Sequence, residues 1–320
     1  MSILVQKPGI LTTVQDLGRF GYRRFGINPN GAMDHIAMRL INILLGNDEN
    51  EAVLEMHFPA PQLVFESDAD FSLGGADFEA QLDGEQVGNW RQIAAKKGDV
   101  LKFAGKIVGN RSYLAVKRGF KINPWLGSAS TNAVANIGGF DGRKLESGDR
   151  IEINEQLIST KADPRQISAS LIPAYSKFPT VRIIAGGEFA DLTGESQDAL
   201  VKQNFTISNA SNRMGFRLRG EPLNLAIPLE MISAATNYGT IQLLPDGQLI
   251  VLMADGQTAG GYPRIAHVVS RDLPLLAQLG ANDKVAFHLI TGREAEDLAV
   301  EFERELSFFR IGCRLQANLK

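Results

Sequence analysis

Short runs of alternating apolar and polar residues, broken by glycine turns, dominate the chain. Phe78–Leu82, Asp83-Gly84 and Glu85–Val87 read as a hairpin, with Asp-Gly supplying the two positive-φ positions of a type I′ turn. Thr240–Leu244, then Pro245-Asp246-Gly247, then Gln248–Met253 gives a second hairpin. Gly98–Phe103 and Asp283–Phe287 each run from a turn into a strand. Many short strands at such spacing predict barrels or sandwiches.

Helical periodicity is rare. Ile36, Leu40, Ile41, Leu44 and Leu45 share one helix face, with Asp34 placed to cap its start and Gly46 to end it. Leu298, Phe302 and Leu306 recur every fourth residue and predict an amphipathic helix from about Glu294 to Phe309. A shorter helix is expected over Leu273–Leu279, capped by Asp272 with Pro274 in its first turn. The predicted class is all-β with few short helices.

At 320 residues the chain exceeds the size at which single cores stop growing. A polar, aperiodic stretch between Asn154 and Pro179, holding Ser159, Lys161, Pro164 and Pro173, divides it. The expected domains are 1–155 and 179–320, joined by a linker over 156–178. Arg19–Arg23 echoes Arg213–Arg217, but the order of such fragments differs between the halves and shows no simple tandem duplication.

The formal net charge is −3 and the basic residues are scattered, so the concentrated positive field of a nucleic-acid binder is missing. One cysteine, Cys313, excludes an intrachain disulfide and fits a reducing compartment. Met1–Gly9 lacks the basic and apolar regions of a signal peptide, and the longest apolar runs are strand-length. A cytoplasmic location is expected, with no membrane and no nucleic acid as partner.

Chemistry concentrates in the loop Ala254–Pro263, which follows the apolar strand Gln248–Met253. Asp255 offers a carboxylate that can accept or relay a proton, and Gln257 and Thr258 can orient a polar substrate. Gly260 and Gly261 let backbone N–H groups approach an oxyanion, and Tyr262 supplies a ring wall. The same residues also describe a tight turn in which Asp255 merely bonds backbone amides. Arg213 and Arg217, four apart, would share a face if both lay in a strand, suiting either a bound carboxylate or phosphate or a surface salt bridge. Gln15, Asp16 and Arg19 form a further polar group, while Asp34 is explained by capping. His35, His57, His267 and His288 lack the spacing of a local metal motif, so no metal is expected. Gly138-Gly139-Phe140-Asp141-Gly142 lacks the Gly-Lys-Ser/Thr ending of a P-loop, and Cys313 has no evident partner for nucleophilic chemistry.

Ordered motifs along nearly the whole chain carry a resemblance. They are Leu11–Arg19, Gly21-Tyr22-Arg23, Gly31–Asp34, Leu45-Gly46-Asn47 with Leu54-Glu55, Gly127–Thr131, Gly138–Phe140, Ser211–Arg217, Gly239–Gln242 and Asp255–Ala266. In these the chain resembles the biotin-dependent carboxyltransferase, or allophanate hydrolase subunit 2, family, which includes the C subunit of 5-oxoprolinase. The resemblance implies two cyclophilin-like β-barrel domains. It also implies an ATP-dependent, multi-subunit 5-oxoprolinase that opens the lactam of 5-oxoproline to glutamate. The partners implied are a second cyclophilin-like subunit (B type) and a lactam-utilisation subunit (A type). Other family roles are a regulatory binding subunit that antagonises a kinase inhibitor, and a carboxyltransferase component of a urea or allophanate system. No Ala/Val-Met-Lys-Met biotin attachment motif and no recognisable ATP-binding module are present, so the chain is expected to bind no cofactor itself, with ATP used by the complex.

The resemblance implies catalytic roles for Asp255 and Gln257, and substrate contacts from Arg213, Gln242, Thr258, Gly260, Gly261 and Tyr262. This chain also departs from the family pattern. Ala234 stands where the family commonly has Glu, Asn212 where it has Asp, Gly256 where it has a basic residue, Ala259 where it has Thr and Ala129 where it has Arg.

Overall fold

In the computed structural model, which describes residues 1–155, 165–229 and 231–318, the alternating runs become strands and the few periodic segments become helices. The described residues form two compact units. One draws on Met1–Arg19, Asn30–Ala174 and Arg304–Lys320, the other on Phe20–Pro29 and Tyr175–Glu303. Of the expected linker, residues 156–164 lie outside the described residues. Residues 165–167 run beside 90–92, with Gln92 N–H donating to Arg165 O at 2.9 Å and Ile167 N–H to Trp90 O at 2.8 Å.

The first unit holds β1 (Ser2–Lys7), β2 (Thr12–Gln15), α1 (His35–Leu45), β3 (Val53–His57), β4 (Gln62–Phe65), β5 (Ala69–Asp77), β6 (Ala80–Leu82), β7 (Glu85–Gln86), β8 (Gln92–Ala95), β9 (Val100–Phe103), β10 (Val108–Val116) and β11 (Arg150–Glu152). Hydrogen bonding joins them as two sheets, β11-β1-β4-β9-β6-β7 and β2-β3-β10-β5-β8. Both sheets feed one core, in which Ile3, Phe65, Phe71, Leu101 and Leu114 are fully buried. Alternation along β10 sends Leu114 and Val116 into that core and Tyr113 and Ala115 to the opposite face, under Met38 and Ile41 of α1. One of the two sheets ends in β7, which is two exposed residues long.

Local expectations met their physics in most places. Asp83 and Gly84 sit at φ 51° and 89°, as a type I′ turn requires, and Leu82 pairs with Glu85. The Asp34 carboxylate caps α1 by accepting Ala37 N–H at 2.9 Å, and Gly46 ends it in the left-handed region.

The second unit contains β12 (Thr180–Ala185), α2 (Gly194–Lys202), β13 (Asn204–Ile207), β14 (Gly215–Arg219), β15 (Ala234–Ala235), β16 (Thr240–Leu243), β17 (Leu249–Leu252), β18 (Ala259–Gly260), β19 (Arg264–Val268), α3 (Leu273–Ala277) and β20 (Lys284–Leu289). Seven of them close a barrel in the order β12-β19-β16-β17-β14-β13-β20. Closure is made by β12 lying parallel to β20, from Thr180 opposite Ala286 to Ile183 opposite Leu289. Phe205 and Phe287 pack at 5.5 Å between ring centroids, and Val181, Ile183 and Val251 are fully buried with them.

Two helix expectations need correction. Asp272 makes no side-chain cap on α3; its carboxylate takes the backbone N–H and the guanidinium of Arg182 instead. A charge-assisted, bidentate partner outcompetes the neutral amide of a five-residue helix. The last helix, α4 (Gly292–Asn318), is 27 residues long and outruns the expected 294–309 at both ends. Thr291 and Glu294 form a reciprocal capping box at its start, and no proline interrupts it.

Candidate functional site

Along β14, Phe216 and Leu218 are buried whereas Arg217 and Arg219 are exposed. Phe216 pairs with Val251, and Arg217 with Ile250, which in turn pairs with Gln242. Arg217, Ile250 and Gln242 therefore form one cross-strand row on the outer face of the barrel wall. Above this row lies a cleft of about 530 Å³. Ile250 and Leu252 give it apolar lining, and Asn212, Met214, Gln257 and Tyr262 line it with them. Gly215 keeps the lining compact, because a Cβ there would meet Ile250 Cδ1 at 2.7 Å.

The loop after β17 is held from several sides. Arg213 grips Asp255 with two parallel bonds, Nε to Oδ2 at 2.8 Å and Nη2 to Oδ1 at 2.9 Å. The backbone repeats the link, Asp255 N–H donating to Arg213 O at 2.9 Å. Asn28 Nδ2 donates to Asp255 O at 2.9 Å. Further on, the Thr236 hydroxyl donates to Gln257 O at 2.6 Å and Thr236 N–H to Thr258 O at 3.1 Å. That register continues as the small β15–β18 ladder, with Ala234 opposite Gly260.

Gly260 is tightly enclosed. A Cβ at this position would stand 2.6 Å from Gln257 Nε2 and 2.7 Å from Gln242 Nε2. Two carboxamides thus converge on one point beside the cleft, a convergence that any side chain at 260 would break. Gln242 is buried, and its Nε2 also donates to Tyr262 O at 3.3 Å. Carboxamides offer donor and acceptor together, matching an amide or lactam group of a ligand.

The structure therefore brings together Gln242, Gln257 and Tyr262 on the cleft, with Gly260 behind them. Gly261 and Tyr262 also border a neighbouring groove with Leu225, Leu229 and Met231. Thr258 presents its carbonyl to Thr236 and lines neither cavity. Arg213 and Asp255 face each other rather than the cleft. Arg217, expected with Arg213 to suit either a bound carboxylate or phosphate or a surface salt bridge, lines the cleft, as does Asn212. The four-residue arginine spacing reads differently once β14 starts at Gly215: Arg213 lies before the strand and shares no strand face with Arg217.

A profile of the family described as "Carboxyltransferase domain, subdomain A and B" matches residues 25–289. The chain belongs to this carboxyltransferase family. It is 39% identical to the C subunit of 5-oxoprolinase from Haemophilus influenzae over 89% of this chain and 90% of that one. It is 37% identical to the corresponding 5-oxoprolinase C subunit of Escherichia coli over 97% of each. Among solved structures, the K. lactis urea amidolyase superposes with a TM-score of 0.90 at 28% identity, over 96% of this chain and 20% of that one.

In the first unit of this carboxyltransferase-family chain, the Gln15–Arg19 group forms a buried polar network. The Asp16 carboxylate accepts from Ser128 Oγ at 2.7 Å, Ser130 Oγ at 2.5 Å, Ala129 N–H at 2.6 Å and Gly18 N–H at 2.7 Å. Arg19, 1% exposed, donates to Asn30 Oδ1 and Ser130 O, with its guanidinium 5.0 Å from the Trp125 ring centroid. Buried charges bonded to loop backbone and side chains in this way fix loops. Nearby, burial foremost, and then Asp48 and Asp16, push the Glu51 carboxyl above its usual range. Among the described residues no group of three or more His, Cys, Asp or Glu is placed to hold a metal. In the second unit, burial followed by Arg264 lowers the His267 pKa, and His267 Nδ1 lies 3.2 Å from Thr240 Oγ1.

Proposed function

We propose that this chain is the C subunit of an ATP-dependent, multi-subunit 5-oxoprolinase. The observation that carries the reading is the end-to-end likeness to two 5-oxoprolinase C subunits, whose chains it covers by 90% and 97%. The cleft supports it, because Gln242 and Gln257 line it with carboxamides, groups that can pair with a lactam C=O or N–H.

In this reading the chain orients 5-oxoproline. ATP is consumed elsewhere in the complex to activate the lactam oxygen, and the chain holds no cofactor itself. The lactam oxygen takes the phosphoryl group of ATP as ADP leaves, one water adds to the carbonyl carbon, the C–N bond breaks as the nitrogen takes a proton, and a second water releases inorganic phosphate to give glutamate. Gln257 and Gln242 hold the amide, Tyr262 walls the ring, and the Gly260-Gly261 segment keeps the backbone close to it. Asp255 is retained as the expected catalytic carboxylate, and proton transfer through it requires release of at least one oxygen from Arg213. The partners are a second cyclophilin-like subunit of B type and a lactam-utilisation subunit of A type, in the cytoplasm. No helix among the described residues is long and apolar enough to cross a membrane.

The test is 5-oxoproline-dependent ATP hydrolysis by the partner subunits with and without this chain. Glutamate formation that depends on the chain is expected. Equal rates in both mixtures overturn the assignment.

A further inference from the structure

Arg217 is the uncommitted charge in the cleft. Its guanidinium has no hydrogen-bond or ion-pair partner among the described residues, whereas Arg213 holds Asp255 and Arg264 holds Glu188 at 2.7 Å. It extends from a barrel strand, so its backbone is fixed by pairing with Ile250. The lining contains one carboxylate, Asp246, in the turn after β16, where its Oδ1 accepts Gln248 N–H at 3.1 Å. Asn212 uses its Oδ1 on Met214 N–H at 2.8 Å, and its amide nitrogen has no partner among the described residues.

Arg217 and Gln242 flank Ile250 in one cross-strand row, two strand spacings apart or roughly 10 Å between backbones. The row therefore presents a cation, an apolar seat and a carboxamide in sequence. A ligand matching that order carries a carboxylate at one end, a short aliphatic ring or chain, and an amide at the other. The planar guanidinium fork suits a carboxylate through paired hydrogen bonds.

We propose that Arg217 is the carboxylate-binding residue of this cleft and selects small carboxylated lactams over their neutral carboxamides. The inference rests on reading the cleft as the substrate site. Asn212 supplies a neutral donor to the same cleft.

The experiment measures binding of 5-oxoproline and of 5-oxoprolinamide to the full chain by calorimetry, and the KM for 5-oxoproline in the reconstituted complex. Arg217→Gln is expected to weaken the acid by about ten- to a hundredfold, the loss of one charge-assisted contact, and to leave the carboxamide unchanged. In the complex KM rises while kcat holds, and Arg217→Lys recovers part of the loss. Arg219→Gln, also exposed on β14 but outside the cleft lining, serves as the control and behaves as wild type. Unchanged acid binding and KM in Arg217→Gln overturn the proposal even when the complex is active. Arg217-dependent binding by a chain that supports no turnover upholds the subsite and overturns the assigned reaction instead. A wild-type chain that takes 5-oxoproline neither alone nor in complex overturns the subsite.

Discussion

Arg213 and Asp255, 42 residues apart, face each other through two parallel charge-assisted bonds, with side chains about a tenth exposed. The pair ties the segment before β14 to the loop after β17, the two segments that bring Asn212 and Gln257 to the cleft. Removing one member leaves the other charge largely buried without its counterion. Asp255→Ala and Arg213→Ala are each expected to cost about 3 kcal/mol of stability. In urea titrations the double variant should cost much less than the sum of the two. Additive losses would show that the pair is not coupled.

Gly260 and Gly261 are adjacent yet should respond differently to a methyl group. At 260 a Cβ collides with both converging amides, while at 261 its nearest neighbours, Met231 O and Ser233 Oγ, are at 3.7 Å. Gly260→Ala is expected to raise the KM of the reconstituted enzyme at least about tenfold, with the fold retained by circular dichroism. Gly261→Ala should stay within about twofold of wild type. Equal effects at both positions would remove the amide pair from the binding site.

Glu188 accepts three hydrogen bonds from Arg264, whose guanidinium holds its carboxyl below the ordinary value of 4.5. The ionised form is thus favoured by folding, and the stabilisation is complete above 4.5 and lost as pH falls through the lowered value. Glu188→Gln should lower stability by about 1–2 kcal/mol near neutrality, and the gap to wild type should close at acid pH. A gap that stays constant from about pH 7 to about pH 3 would contradict the ion-pair origin.

The sequence by itself determined the local elements. Asp83-Gly84, the Asp34 and Gly46 caps and the strand alternation of 240–252 act through backbone dihedrals and neighbouring hydrogen bonds, so a few consecutive residues specify them. It also marked the 254–263 loop and, through ordered motifs, the family. Tertiary structure alone decided the partners of charged groups. Asp272 had the spacing of a cap and went to Arg182, 90 residues away, because an ion pair is stronger than a cap on a neutral amide. Arg213 and Arg217 are equivalent in composition and spacing. The strand boundary at Gly215 and the distant Asp255 separate them, leaving one as a structural clamp and the other open on the cleft. Long-range pairing across a closed barrel sets which side chain meets which, and no local pattern encodes that geometry.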